Sequence, residues 1–200
     1  MSGRALVVGV TGISGGNVAQ RLLADGWDVL GLCRRPGELD DKITPLRADL
    51  EDADEVTAAV HGTAPTHVFF TTWSRRTTEA ENCEVNGRML QNLLDAVAAE
   101  RSVRHVALVT GLKHYLGPFE AYAKVQPDTP FSEEAPRLPY ENFYYTQEDV
   151  LFASAERDGF TWSVHRPHTL IGWALGNAMN MGVTLAVYAA ICRETDRGFR

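Results

Sequence analysis

The sequence predicts an α/β domain with a doubly wound parallel sheet, and three observations support this. A continuous apolar run, Ala5–Val8, passes through a glycine-rich turn into a helical pattern. Similar strand and helix patterns alternate along most of the chain, which implies parallel strands joined by right-handed crossovers. The composition is that of an ordinary globular protein, with 44% hydrophobic and 22% charged residues among 200. A ligand crevice is therefore expected at the carboxyl ends of the strands.

Six short runs rich in apolar residues predict the strands of this sheet. In chain order they are Ala5–Val8, Asp28–Leu32, Ile43–Arg47, Thr66–Phe70, Arg104–Val109 and Thr161–Arg166. The last of them stops at Pro167. Between the fifth and the sixth, residues 117–141 hold five prolines and form an irregular segment. A loop of this length inside a compact domain is typical of a functional segment.

The helices are predicted from apolar residues that recur every three or four positions. In chain order, the first follows Gly15 and ends at Asp25-Gly26, and the others cover 51–60, 81–100, 144–157 and 176–193. The second has an acidic first turn, as the helix dipole prefers, and the third carries a long apolar face. The last is apolar but too short to span a bilayer, so we expect a packed helix.

The turn after the first strand has the spacing of a dinucleotide site. Gly9, Gly12 and Gly15 leave no side chain between the backbone and a pyrophosphate, whose charge the following helix amino terminus would receive. Thr11 and Ile13 lie between these glycines and are assigned to the same site. A glycine triplet alone is also compatible with an ordinary strand–helix turn, so the residues downstream have to decide.

Two adjacent arginines follow the second strand, where the ribose contact falls in such folds. An acidic residue there would accept hydrogen bonds from the 2′-hydroxyl of NAD, whereas the guanidinium groups of Arg34 and Arg35 suit a 2′-phosphate. The alternative is a solvated loop, and two arginines at this one place in an acidic chain argue against it. The sequence therefore favours NADP(H) as the cofactor.

Two further groups follow the fifth strand and begin the fourth helix. Lys113 comes just after the Thr110-Gly111 pair, and Tyr144 stands at a helix start, so both side chains can point into the crevice over a nicotinamide ring. A phenol that donates to a carbonyl oxygen stabilises the charge that develops there, and a neighbouring ammonium raises its acidity. Two alternatives stay open: Lys113 is a surface lysine, or Tyr144 and Tyr145 are packing aromatics.

Several motifs resemble a known group of enzymes. The glycine turn and the Asp49-Leu50 pair resemble the extended short-chain dehydrogenase/reductase superfamily, whose Rossmann fold binds NAD(P). More narrowly, Gly111–Glu120 (GLKHYLGPFE) and Asn142–Tyr145 (NFYY) resemble its progesterone 5β-reductase/iridoid synthase-like branch. The resemblance extends over nearly the whole chain and also includes Arg34–Pro36, Thr71–Trp73 and His165–Gly172.

The resemblance implies the catalytic residues and the reaction. The superfamily's usual Tyr-x-x-x-Lys is absent, because acidic residues, Glu148 and Asp149, stand at the positions of the lysine. In the resembled branch the lysine comes from the loop after the fifth strand and the tyrosine is the first of the adjacent pair, which carries over to Lys113 and Tyr144. The implied reaction is NADPH-dependent 1,4-reduction of an activated enone or enal, in which Tyr144, supported by Lys113, holds the enolate oxygen.

The resemblance also assigns further cofactor contacts. Besides the glycine turn and the two arginines, they are Asp49, Leu50, Thr71, Thr72, Trp73, Thr110, Gly111 and Pro167. A core position is an open alternative for Trp73. We expect His114 and Tyr115 to be structural and Asn86 to hydrogen-bond its helix to a loop. The two histidines that flank Arg166-Pro167 lack the further ligands of a metal site, so no metal is expected.

Charge and cysteine content exclude several kinds of partner. With a net charge of −7 and a pI near 5.3, the chain has no electrostatic footprint for nucleic acid or for an anionic membrane. Three unpatterned cysteines fit reduced thiols, and the amino terminus does not resemble a secretion leader. We therefore expect a cytoplasmic protein with a small-molecule substrate.

Length separates the chain from the branch that it resembles. Proteins of that branch continue with a carboxyl-terminal substrate region, so residues 1–200 are expected to be a single NAD(P)-binding domain of a longer protein, or to have the pocket completed by a partner subunit, as in a homodimer. Two other functions are open. One is a non-catalytic NADP(H)-sensing module that binds a protein, and the other is sugar-nucleotide epimerisation or dehydration, for which the displaced lysine is unfavourable.

Overall fold

A computed structural model of the protein describes residues 3–37, 39–117, 129–174 and 180–199. The strands are β1 (Arg4–Val8), β2 (Asp28–Cys33), β3 (Ile43–Arg47), β4 (His67–Phe70), β5 (His105–Val109) and β6 (Thr161–His165). All of them lie parallel in one sheet, in the order β3-β2-β1-β4-β5-β6. The strand order reverses between β1 and β4, and such switch points bind ligands at the carboxyl ends of the strands. The prediction of a doubly wound parallel sheet is confirmed.

Side-chain caps decide where several helices begin. The helices are α1 (Ile13–Ala24), α2 (Ala53–Val60), α3 (Glu79–Ala98), α4 (Lys113–Leu116), α5 (Phe143–Asp158) and α6 (Met181–Glu194). Helix α2 begins later than predicted, because the Asp52 carboxylate accepts from two N–H groups of its first turn. Helix α3 begins earlier than predicted, because Thr78 and Glu81 form a capping box.

Apolar side chains cover both faces of the sheet. On one face, Leu6 and Phe70 pack with Leu93 of α3 and Leu151 of α5, and all four are fully buried. On the other face, Val7 belongs to a smaller cluster that packs against α1. Helices α3 and α5 lie against each other, and their amino-terminal turns meet. This meeting brings the start of α3 to the candidate site.

The segment after β5 differs from the prediction. Helix α4 was not predicted, since four residues are too few to show a helical period. Of the irregular segment, residues 129–141 contain no helix or strand. Residues 118–128, which include the end of the Gly111–Glu120 motif, lie outside the described residues.

The prediction that the last helix is packed is wrong. Helix α6 begins at Met181 rather than near Gly176, and residues 175–179 lie outside the described residues. Only Cys192 of this helix is buried, whereas Val183 and Ile191 are 56% and 55% exposed. Its apolar side chains stay exposed because no other element in the described ranges covers them. None of the described helices has both the length and the apolarity needed to cross a membrane.

Candidate functional site

The turn after β1 requires glycine at two of its positions. Gly9 has a φ of +83°, which favours glycine, and its carbonyl oxygen accepts a hydrogen bond from Gly12 N at 2.9 Å. A Cβ on Gly15 would overlap that carbonyl oxygen and lie 2.7 Å from Thr71 Oγ1. The Thr71 hydroxyl itself donates to the carbonyl oxygen of Val8 at 2.7 Å. The fold alone therefore accounts for Gly9 and Gly15.

Gly12 occupies a different environment from the other two glycines. Its φ is −87°, and an added Cβ would meet only the carbonyl oxygen of Gly9, at 3.3 Å. It is the N-cap of α1, and no described side chain accepts a capping hydrogen bond from the first turn of this helix. A helix amino terminus in this state can receive an anion, and glycine at its cap leaves space for one. The turn thus fits the pyrophosphate of a dinucleotide.

A crevice of about 580 Å³ opens beside this turn, at the carboxyl ends of β1 to β4. Eight of the residues predicted to bind the cofactor line it: Gly9, Thr11, Arg34, Arg35, Asp49, Leu50, Thr72 and Trp73. Of the other predicted residues, Gly12, Ile13, Gly15 and Thr71 belong to the turn itself or contact it. The structure therefore brings these twelve residues together around one crevice, whereas Thr110, Gly111 and Pro167 do not line it.

A third arginine that the sequence reasoning missed lines the same crevice. Arg47 ends β3, and the parallel register places it opposite Cys33, the last residue of β2. It is therefore next to the pair that follows β2. The signal in the sequence was a charged residue at a strand end. Three carboxylates, Asp49, Glu51 and Glu55, line the same crevice, so its charge is mixed.

Hydrogen bonds from α2 and α3 hold the Asp49-Leu50 pair in place. Asp49 N donates to the Glu55 carboxylate at 2.9 Å, and the Asp49 carboxylate accepts from Glu51 N at 3.1 Å. From α3, Asn92 Nδ2 donates to the carbonyl oxygen of Leu50 at 2.9 Å. The loop after β3 is thus fixed at the wall of the crevice.

The segment after β5 meets the segment after β6 and the start of α5. Thr110 N donates to the carbonyl oxygen of His165 at 2.8 Å, so the pairing of the two strands continues past β5. A Cβ on Gly111 would lie 3.0 Å from Tyr144 Oη and 3.5 Å from the carbonyl oxygen of Pro167. The Tyr144 hydroxyl therefore lies against the Gly111 backbone, at the carboxyl ends of β5 and β6.

The neighbouring tyrosine is fixed inside the protein. Tyr145 is buried, and its hydroxyl donates to the carbonyl oxygen of His114 at 2.6 Å and accepts from Leu138 N at 3.0 Å. Tyr145 is thus the packing aromatic of the pair. The hydroxyl at the strand ends belongs to Tyr144.

Lys113 is not a solvated surface lysine. Its side chain is 14% exposed, and Nζ lies 2.5 Å from Glu79 Oε2. The same ammonium lies 5.0 Å from the centroid of the Phe143 ring, within the range of a cation–π contact. Lys113 therefore contacts the residue that immediately precedes Tyr144.

Trp73 joins the crevice to this second group of residues. It lines the crevice, is 42% exposed, and stacks on Phe143 with ring centroids 5.3 Å apart. The core alternative for Trp73 is therefore wrong. The loop that carries it is held by Asn86, whose side chain accepts from Ser74 N at 2.7 Å and donates to the carbonyl oxygen of Ser74 at 2.8 Å. The prediction that Asn86 bonds its helix to a loop is confirmed.

A buried carboxylate occupies the position of the superfamily's usual lysine. Glu148 accepts hydrogen bonds from Arg166 at 2.9 Å and from Arg137 at 3.1 Å. His114 Nδ1 lies 3.3 Å from the same carboxylate, and burial lowers the pKa of His114, an effect that the Glu148 charge opposes. His114 thus lies beside the buried ion pairs of Glu148 with Arg137 and Arg166, as expected of a structural residue. Among the described residues, no three His, Cys, Asp or Glu side chains are grouped to hold a metal.

The chain is similar to plant enzymes over nearly its whole length. It is 46% identical over 201 residues to the (S)-8-oxocitronellyl enol synthase of Nepeta racemosa and 45% identical over 201 residues to the 3-oxo-Delta(4,5)-steroid 5-beta-reductase of Arabidopsis thaliana. Each match covers 95% of this chain and 52% of the relative. The chain therefore spans about half the length of the curated relatives it matches. The resemblance to the progesterone 5β-reductase/iridoid synthase-like branch is confirmed.

The fold also matches solved structures. The UDP-glucose 4-epimerase of Thermus thermophilus, solved in complex with NAD, superposes with a TM-score of 0.72 at 21% identity, over 93% of this chain and 61% of the epimerase. The family model described as NAD dependent epimerase/dehydratase matches residues 5–194. This chain therefore belongs to the NAD dependent epimerase/dehydratase family.

Proposed function

We propose that the protein is a reductase that uses NADPH to reduce the activated C=C bond of a small enone or enal. The observation that carries the proposal is the position of the Tyr144 hydroxyl, against Gly111 at the carboxyl ends of β5 and β6, one residue from the ring that Lys113 contacts. The relatives support the same chemistry, because one is named as a reductase of a 3-oxo-Delta(4,5)-steroid. This chain spans about half the length of those relatives, so their activity comes to it only as a proposal.

The choice of NADPH over NADH rests on charge at the crevice. Arg34, Arg35 and Arg47 all line it, at the ends of β2 and β3. Guanidinium groups bind phosphate oxygens through charge-assisted hydrogen bonds, and a 2′-phosphate is the feature that separates the two cofactors. The residues present thus fit NADP(H).

Each proposed catalytic residue has a role that its position supports. Bound NADPH would supply a hydride to the β-carbon of the substrate. Tyr144 would donate a hydrogen bond to the carbonyl oxygen and so stabilise the negative charge of the enolate. The Lys113 ammonium would add positive charge at the first turn of α5, the turn that carries Tyr144. The α-carbon would then take its proton from solvent.

The test incubates the protein with NADPH and 2-cyclohexen-1-one. Consumption of NADPH is measured as the loss of absorbance of the reduced nicotinamide. We expect enone-dependent oxidation of NADPH and a saturated ketone as product. NADPH binding without oxidation by any enone would instead support the sensing module. Turnover of a sugar nucleotide without enone reduction would support the epimerase alternative.

A further inference from the structure

We infer that Glu79 is a positioning residue for this site: one carboxylate holds both the Lys113 ammonium and the first turn of the helix that carries Tyr144. The inference rests on the proposed function and deepens it. No step of that function uses Glu79, and the sequence reasoning did not single it out.

The two oxygens of Glu79 contact two different elements. Oε2 lies 2.5 Å from Lys113 Nζ, at the start of α4. Oε1 accepts a hydrogen bond from Phe143 N at 2.8 Å, at the first residue of α5. A single side chain from α3 thus fixes α4 and α5 relative to each other, next to Tyr144.

The Glu79 carboxylate is itself well held. Glu79 is the first residue of α3, where the helix dipole favours a negative charge, and its side chain is 23% exposed. Asn82, one turn later, donates from Nδ2 to Glu79 Oε2 at 3.2 Å. The carboxylate therefore has a fixed place from which to hold its two partners.

No other described carboxylate pairs with Lys113. Glu148 stands on the same helix as Tyr144, but its oxygens are engaged by Arg166 and Arg137. Without Glu79, the Lys113 ammonium would lose its ion pair, and the first N–H of α5 would lose its acceptor. One loss would fall on Phe143, which precedes Tyr144, and the other on Lys113, which contacts the Phe143 ring, so Glu79 acts on the reaction through Lys113 and α5.

The first test measures how strongly Glu79 shields the Lys113 amine from a reagent, and it does not depend on enzyme activity. The chain has three lysines, and Lys42 is exposed, so it serves as an internal reference. The Glu79→Gln variant keeps the size of the side chain and an acceptor for α5, but removes the charge that pairs with Lys113. We expect an amine-acylating reagent, read by mass spectrometry, to modify Lys113 several-fold faster in Glu79→Gln, with Lys42 unchanged.

The matched control is Glu84→Gln, the same change on the same helix. Glu84 is 71% exposed, pairs with Arg88 one turn later and forms no described ion pair with Lys113. We expect Lys113 in this variant to react at the rate of the unaltered protein. Equal Lys113 rates in Glu79→Gln and Glu84→Gln would overturn the inference.

The second test is a double-mutant cycle on enone reduction. The kcat of Glu79→Gln should fall about tenfold to a hundredfold, because small displacements at a reacting centre are costly, while KM for NADPH changes little. In a Lys113→Met background, Glu79→Gln should add little further loss, since it acts largely through Lys113. Fully additive losses, or an unchanged kcat, would leave Glu79 a merely structural residue.

Two outcomes separate this inference from the function on which it rests. If the unaltered protein reduces no enone, the proposed function fails, and with it the catalytic part of the inference. If it is active and Glu79→Gln is equally active, only the inference fails. Melting temperatures establish that each variant is folded, and Glu79→Asp replaces Glu79→Gln in the cycle if the latter is not.

Discussion

Asn142 Nδ2 donates a hydrogen bond to the carbonyl oxygen of Lys113 at 3.1 Å. The other end of the same amide, Oδ1, accepts from Tyr144 N at 3.1 Å and so caps α5. Asn142 is 2% exposed, which excludes water as a competing partner for most of its surface. One buried amide thus fixes the backbone of both proposed catalytic residues, and Glu79 adds a second link between the same two elements.

Two replacements of Asn142 should separate its two roles, the cap of α5 and the hydrogen bond to the Lys113 carbonyl. Asn142→Ser keeps a hydroxyl that can cap α5 but is too short to bond the Lys113 carbonyl, whereas Asn142→Ala removes both interactions. We expect kcat for enone reduction to fall in both variants, and Asn142→Ala to lose about 1 kcal/mol more of the unfolding free energy. Steady-state kinetics and urea unfolding measure the two effects. Full kcat in Asn142→Ser would show that the link to Lys113 is irrelevant to turnover.

The two adjacent tyrosines should respond oppositely to loss of the hydroxyl. Tyr144→Phe should lower kcat about a hundredfold, because one donor to the enolate oxygen is lost, and leave NADPH affinity nearly intact. Tyr145→Phe is the matched control: it leaves the buried His114 carbonyl and Leu138 N–H without their partner, so it should cost about 1 to 3 kcal/mol of stability.

Steady-state kinetics on the folded variants measure kcat, and titration of NADPH fluorescence measures their affinity for NADPH. If Tyr144→Phe lost NADPH affinity and activity together, Tyr144 would be a fold residue. If Tyr145→Phe instead abolished turnover at full stability, the assignment of the pair would be reversed.

The sheet could be predicted because strands and crossovers leave local patterns, and each β strand here starts and ends within a residue or two of its apolar run. Arg47 and Glu79 could not be singled out in this way. Arg47 acquires its place from the register of β3 on β2, and Glu79 from the meeting of α3 with α4 and α5. Both residues owe their positions to contacts between separate strands or helices. Such contacts leave no local pattern in a single sequence. The positions of Lys113 after a strand and of Tyr144 at a helix start predict a shared crevice, whereas the choice of Tyr144 over Tyr145 rests on the resemblance.

The glycine turn offers a test that separates a phosphate cradle from an ordinary turn. A Cβ on Gly15 would overlap the Gly9 carbonyl oxygen, so Gly15→Ala should destabilise the fold by several kcal/mol. A Cβ on Gly12 would meet that oxygen only at 3.3 Å, so Gly12→Ala should fold almost normally. We expect it nevertheless to bind NADPH about tenfold or more weakly, because the added methyl group takes up space at the helix amino terminus. If a folded Gly12→Ala variant bound NADPH with unchanged affinity, the segment would be an ordinary strand–helix turn and not a phosphate-binding site.

Arginines at the crevice should set the cofactor preference. Replacing Arg34 by Asp and Arg35 by Ala should shift the preference towards NADH by about 1 to 3 kcal/mol, the scale of charge-assisted hydrogen bonds. Adding Arg47→Ala should move it further in the same direction. Arg21→Ala, which removes a 79% exposed arginine of α1, is the control for net charge. The ratio of kcat/KM for NADPH and NADH is the measurement, and an unchanged ratio would place these arginines away from the ribose.

His114 should make the fold less stable as the pH falls. Burial lowers its pKa below the ordinary 6.5, and the nearby Glu148 charge opposes this only in part. The unfolded chain therefore binds a proton at His114 more readily than the folded protein does as the pH falls through 6.5, and this difference favours unfolding. The pKa values of His67 and His105 are also lowered, mainly by burial, and act in the same direction. We expect the urea concentration at the unfolding midpoint to decrease as the pH is lowered from about 8 to about 5. The decrease should be smaller in His114→Gln, because this variant lacks one of the titrating groups. The same pH dependence in both proteins would mean that His114 titrates alike in the folded and unfolded chain.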